Sequence, residues 1–189
     1  MNDNVRYTAA LCAAVILNWL ACGSVAAQQF SAWSTPVNLG PSINTAYNEW
    51  HCANSADGLS IFFISDRPGG SGGFDLWVAE RLRRNADWGP AQNLGPTFNT
   101  SADEYTPALS PDGHWLFFSS VGLASNKNLQ IYAAFRSDIH DNLGWGPPVN
   151  LGKGVNSGHA TGDPSLFIDP QTGLATLYFA RLVRSGQDD

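Results

Sequence analysis

A block that opens at Trp33 is written three times along this chain, and no other feature restricts its fold so strongly. Asn38, Leu39, Gly40, Pro41, Ile43 and Asn44 return as Asn93, Leu94, Gly95, Pro96, Phe98 and Asn99, displaced by the 55 residues that separate Trp33 from Trp88. The same displacement carries Glu49 onto Glu104 and Asp57-Gly58 onto Asp112-Gly113. A third copy opens at Trp145 with Asn150, Leu151 and Gly152 and continues to Val155 and Asn156, now 57 residues beyond the second. Such a period marks one supersecondary unit that must stack on its neighbours, because a single unit cannot bury its apolar face alone.

Within each period, short aromatic and β-branched runs alternate with turn residues. The second copy predicts strands over 105–110, 115–119, 131–136 and 148–151, with Pro111, Asp112 and Gly113 as the hairpin turn between the first two. The first copy predicts strands over 50–53, 61–65, 76–81 and 91–94, with Asp57-Gly58 in the matching turn. The third supplies only 164–168 and 176–180. Seven Trp, 19 Gly and 11 Pro beside a single Met are the usage of many strands and tight turns rather than of a helical bundle. The expected class is all-β, and four antiparallel strands per repeat make a β-propeller blade. The segment from Phe30 to Leu39 matches a fourth, outer strand with no blade of its own. About three blades fall short of the usual four to eight. The expectation is an incomplete ring: a truncated chain, a domain that needs partner copies, or an open arc.

The run of Trp33, Pro36, Asn38, Leu39 and Gly40, then Asn44, Glu49, Asp57-Gly58, an aromatic strand and Ser65-Asp66-Arg67-Pro68-Gly69-Gly70, resembles the TolB-like, WD40-like propeller repeat. The resemblance covers nearly all of residues 31–189. It implies a secreted or periplasmic protein whose propeller binds another protein or an envelope component, with no catalytic signature in the repeat. The third copy departs from the pattern: a longer turn from Asp169 to Gly173 replaces Asp-Gly, and the Ser-Asp-Arg run is missing.

Ahead of the repeats, Arg6 precedes an apolar stretch from Ala9 to Ala21 with small residues at Ser24, Ala26 and Ala27, the pattern of an export signal. The expected division is a signal peptide over 1–27 and a repeat domain over 28–189. The stretch is interrupted by Asn18 and falls short of the about 20 apolar residues of a membrane span, so no transmembrane span is expected in the mature chain. Cys22, in Leu20-Ala21-Cys22-Gly23, opens the alternative of an acylated outer-membrane lipoprotein, although Trp19 stands where such signals usually carry an aliphatic residue. Cleavage before Gln28 would leave Cys52 alone, with no intrachain disulfide. A formal charge of -6 lacks the clustered Lys and Arg of a nucleic-acid partner.

Glu49, His51 and Glu104 stand at the starts of the first strands, and Asp163 at the comparable place in the third copy, where a propeller presents side chains to one mouth of its channel. These four are the candidate partner-binding residues. Converging carboxylates there would suit a basic partner or a hard cation; the competing reading is that Glu49 and Glu104 bond backbone amides between neighbouring repeats. Asp57 and Asp112 read as turn formers, the Gly69–Gly73 stretch as a hairpin loop without the Lys of a phosphate cradle, Arg67 with Asp66 and Asp75 as a charge cluster pinning that loop, and Trp33, Trp88 and Trp145 as packing between repeats. No cofactor is called for. The rival class is a five-bladed glycoside hydrolase, in which Gly162-Asp163-Pro164 would be the strand bearing a catalytic carboxylate; Pro164 is equally explained by register, since it aligns with Pro107.

Overall fold

The computed structural model describes residues 34–158 and 160–182; the expected signal peptide over 1–27, Cys22 and Trp33 lie outside them. Chain contacts divide after Val37, and every strand belongs to the part that follows. Ser34–Leu39, where an outer strand was expected, is exposed and lies outside any strand.

All ten strands among the described residues are antiparallel. β1 (Glu49–Asn54), β2 (Ser60–Ser65), β3 (Asp75–Glu80) and β4 (Gln92–Asn93) form one sheet in chain order. β5 (Glu104–Leu109), β6 (Trp115–Ser120), β7 (Gln130–Phe135) and β8 (Val149–Asn150) form a second, and β9 (Ala160–Ile168) pairs with β10 (Ala175–Leu182) in a third. The all-β expectation holds, as do two four-stranded sheets and a two-stranded remainder. The differences are at strand ends: β4 and β8 keep two residues each, and β9 begins four residues earlier than predicted, at Ala160.

The repeated motif explains itself locally. Gly58 and Gly113 adopt left-handed φ of 73° and 76° in the hairpins after β1 and β5, and Asp57 and Asp112 hold those turns by accepting from Leu59 N at 2.9 Å and His114 N at 3.1 Å. The hydroxyls of Ser55 and Ser110 also donate to them, which keeps both carboxyls below their usual range. Asn99 sits beyond the short β4 and replaces its missing ladder: its Oδ1 accepts from Leu76 N at 2.8 Å and its Nδ2 donates to Leu76 O at 2.9 Å. Asn156 does the same to Ile131, at 2.8 Å for both bonds. One side chain thus satisfies a buried backbone pair that would otherwise cost about 1–3 kcal/mol per group.

β2 and β3 are buried on both faces, as their near-continuous apolar runs require. Phe62, Ile64, Leu76 and Val78 on one face pack into a single cluster with Leu94, Phe98, Leu116, Phe118, Tyr132 and Ala134 from the second repeat and Trp145 from the start of the third. Ile61, Phe63, Trp77 and Ala79 on the other face gather with Ile43 and Trp88. Trp88 and Trp145 are core residues as predicted, each under an arginine: Arg81 and Arg136 lie 4.3 Å from their ring centroids.

Phe118 is fully buried, 5.5 Å from the Phe98 ring, whereas Leu82 is 96% exposed. Phe118→Ala should lower the unfolding free energy by about 3–5 kcal/mol, and Leu82→Ala should stay within about 0.5 kcal/mol of the unmodified protein, both read from urea denaturation.

Candidate functional site

The first strands of the three sheets stand side by side, β1 against β5 and β5 against β9. Each breaks its ladder at the same place. Pairing shifts between Trp50 and Ala53 in β1 and between Tyr105 and Ala108 in β5, and β9 skips between Gly162 and Ser165 opposite β10. The leading bulge residues are His51, Thr106 and Asp163, with φ of 46°, 45° and 53°. A left-handed backbone is ordinarily left to Gly or Asn, and for a β-branched residue such as Thr106 it is an outlier. Pro107 and Pro164 follow directly, where the bulge leaves the ladder without need of an N–H.

The bulges aim three side chains into one row. Thr106 Oγ1 donates to Asp163 Oδ1 at 2.9 Å and lies 3.3 Å from His51 Nδ1. A hydroxyl has one proton, and here it goes to the carboxylate, so the His51 contact requires an N–H on Nδ1. His51 and Asp163 are exposed and Thr106 is half-buried. Beside the row, the half-exposed Trp50 ring stacks on Phe74 at 4.8 Å, and Phe74 lies 6.2 Å from Tyr105. Tyr105 donates to Asp103 at 2.9 Å; burial, and then the Asp103 carboxylate, push its hydroxyl up to about 12.

Two of the four sequence candidates, His51 and Asp163, are therefore brought together, through a third residue, Thr106, that the sequence reading passed over. The position of Asp163 needs correcting. It aligns with His51 and Thr106, while Thr161 takes the place of Glu104: Thr161 N donates to Leu129 O at 2.8 Å just as Glu104 N donates to Phe74 O at 2.8 Å. The displacement of Pro164 from Pro107 already contained this register.

Glu49 and Glu104 work elsewhere, each tying the loop before its strand to the strand's end. Glu104 accepts from Thr100 N at 2.9 Å, Thr100 Oγ1 at 2.8 Å and Ser120 Oγ at 2.9 Å, with 0% exposure. Glu49 accepts from Thr45 N and Oγ1 and from Ser65 Oγ, and pairs with Arg67 at 3.1 Å. Their carboxyls move in opposite directions. Burial raises Glu104 beyond what its hydrogen bonds recover; burial also pushes Glu49 up, but Thr45, Ser65 and the Arg67 charge together bring it below its usual value. The difference lies first in burial, complete at Glu104 and partial at Glu49, and then in Arg67, whose place in the second repeat is taken by Gly122, hemmed in by the Thr100 side chain. Arg67 does not join Asp66 and Asp75, as the sequence reading had it. It reaches Glu49, Ser42 O and Ile43 O, while Asp66 accepts from Asn48 and Asp75 caps the glycine loop at Ser71.

Among the described residues no group of three or more His, Cys, Asp or Glu side chains is placed to hold a metal ion, Cys52 is exposed and unpaired, and no helix is long and apolar enough to cross a membrane. No protein-family model matches the chain, and no curated protein matches it.

Because the folded state holds the Glu104 proton more tightly than the unfolded chain, this group contributes stability at low pH that is lost as pH rises above 4.5. The stability of the unmodified protein minus that of Glu104→Gln should accordingly decrease from pH 4 toward pH 7 in denaturant titrations, the reverse of a salt-bridged carboxylate. At the row, relief of left-handed strain of about 1–2 kcal/mol should offset the extra unfolded-chain entropy of glycine, about 0.4–1 kcal/mol. His51→Gly should then be at least as stable as the unmodified protein by the same measurement.

Proposed function

We propose that this chain is part of an exported β-propeller scaffold, similar to the TolB-like repeat proteins, that binds a protein or cell-envelope component through the row formed by His51, Thr106 and Asp163 without chemical turnover. The observation that carries the reading is that three equivalent residues on three neighbouring strands accept a strained backbone and thereby present one continuous polar row. Strain of about 1–3 kcal/mol per residue persists where it serves a site. A rigid sheet framework that fixes such a row is suited to recognition.

Each part of the reading has its own support. The blades rest on the repeated four-stranded sheets in chain order and their face-to-face packing. Export rests on Arg6 and the apolar stretch from Ala9 to Ala21, with acylation at Cys22 as the alternative anchor. Binding rather than glycoside hydrolysis is supported by the carboxylates: hydrolysis needs two facing one sugar, and among the described residues of the row Asp163 stands alone, Glu104 being buried and Glu49 held by Arg67.

The test uses the purified protein as bait in an envelope extract, with the double variant His51→Ala, Asp163→Ala as comparison and near-ultraviolet circular dichroism to verify the fold. Capture of a defined partner by the unmodified protein and its loss in the variant is the expected result. Equal capture by both, or cleavage of a chromogenic glycoside that Asp163→Asn abolishes, overturns the reading.

A further inference from the structure

Building on that reading of a binding scaffold, we infer that the row seats a protonated nitrogen group, the ammonium or guanidinium of a basic side chain on a protein partner. The row leaves a hydrogen-bonding position unfilled. Thr106 gives its only proton to Asp163, and His51 uses Nδ1 to reach Thr106. What the row still offers outward is the second carboxylate oxygen of Asp163, which meets no described residue. It is an acceptor. A ligand complementary to it has donors and needs no donor in return, and that describes an ammonium or guanidinium, which have N–H groups and no acceptor.

The neighbouring groups select in the same direction. Trp50 is 52% exposed beside His51, with ring centroids 6.5 Å apart, and the face of an indole attracts a cation. Four arginines are engaged elsewhere: Arg67 on Glu49, Arg81 on Trp88, Arg136 on Trp145 and Arg181 on the Gly154 and Val155 carbonyls. No described Lys or Arg pairs with Asp163. An anionic group would meet the Asp163 carboxylate head-on. A neutral saccharide could donate a hydroxyl proton to Asp163 but brings no charge to pair with its carboxylate.

The experiment titrates the full protein with a hexa-arginine peptide, a hexaglutamate peptide and a soluble chito-oligosaccharide, read by calorimetry and by Trp fluorescence. Hexa-arginine should bind and the other two should not. Asp163→Asn, which tolerates the left-handed backbone, should weaken hexa-arginine by about tenfold or more, as loss of a charge-assisted bond does. Asp87→Asn, an exposed change of the same charge outside the row, should alter it by no more than about twofold. Equal weakening by the two variants reduces the effect to diffuse attraction by the -6 chain and overturns the inference, as does saccharide binding that depends on Asp163. Failure of hexa-arginine to bind, alongside row-dependent capture of an envelope partner, defeats the cation seat and leaves the scaffold reading standing.

Discussion

The apolar contact between the first two sheets is the interaction on which the rest of the structure depends. β2 and β3 have no polar face, so Phe62, Ile64, Leu76 and Val78 must be covered, and the second repeat covers them with Phe98, Leu116, Phe118 and Tyr132, joined by Trp145 from the start of the third. Burial of this kind is non-directional and would tolerate sliding. Polar groups at the rim remove that freedom. Asn142 donates to Ser60 Oγ and Glu80 Oε1 on the first sheet, both at 2.7 Å, and accepts from Arg136 at 2.6 Å on its own side. Arg136 in turn lies on the Trp145 ring. With the sheets locked in this offset, β1 and β5 can only lie with their bulges level.

The level bulges convert packing into a single row of side chains. A bulge bends its strand and re-aims a side chain, and three of them at one height place His51, Thr106 and Asp163 within hydrogen-bond reach although more than 50 residues separate each from the next in sequence. The strain they carry is local; the clamps beside them hold it. Glu49 and Glu104, two residues before their bulges, fasten each first strand to the loop that delivers it, one with an arginine and one without. Identical residues in equivalent places thus have opposite electrostatics, set first by depth of burial and then by whether position 67 or 122 carries a guanidinium or nothing.

What the sequence determined by itself was everything that depends on short-range regularity. Short continuous apolar runs at Ile61–Ile64 and Leu116–Phe118, bounded by turn residues, define strands because a strand buried on both faces needs apolar residues at every position. Asp57-Gly58 and Asp112-Gly113 define turns because the turn requires a left-handed residue and a nearby acceptor. The return of Trp88 and Trp145 at nearly equal intervals defines repeated units, and their burial was already implied. Strand ends were less legible at β4 and β8, where Asn99 and Asn156 side chains replace backbone pairing. The site was legible only in part. Glu49, His51, Glu104 and Asp163 share a neighbourhood in the pattern, but the sequence cannot show which of them turn inward, because that depends on a bulge and on the neighbouring sheet. Thr106 was hidden because His, Thr and Asp have no chemistry in common and match only by register. Tertiary structure decided that they form one row, since a hydrogen bond between different strands exists only after the faces of those strands have packed.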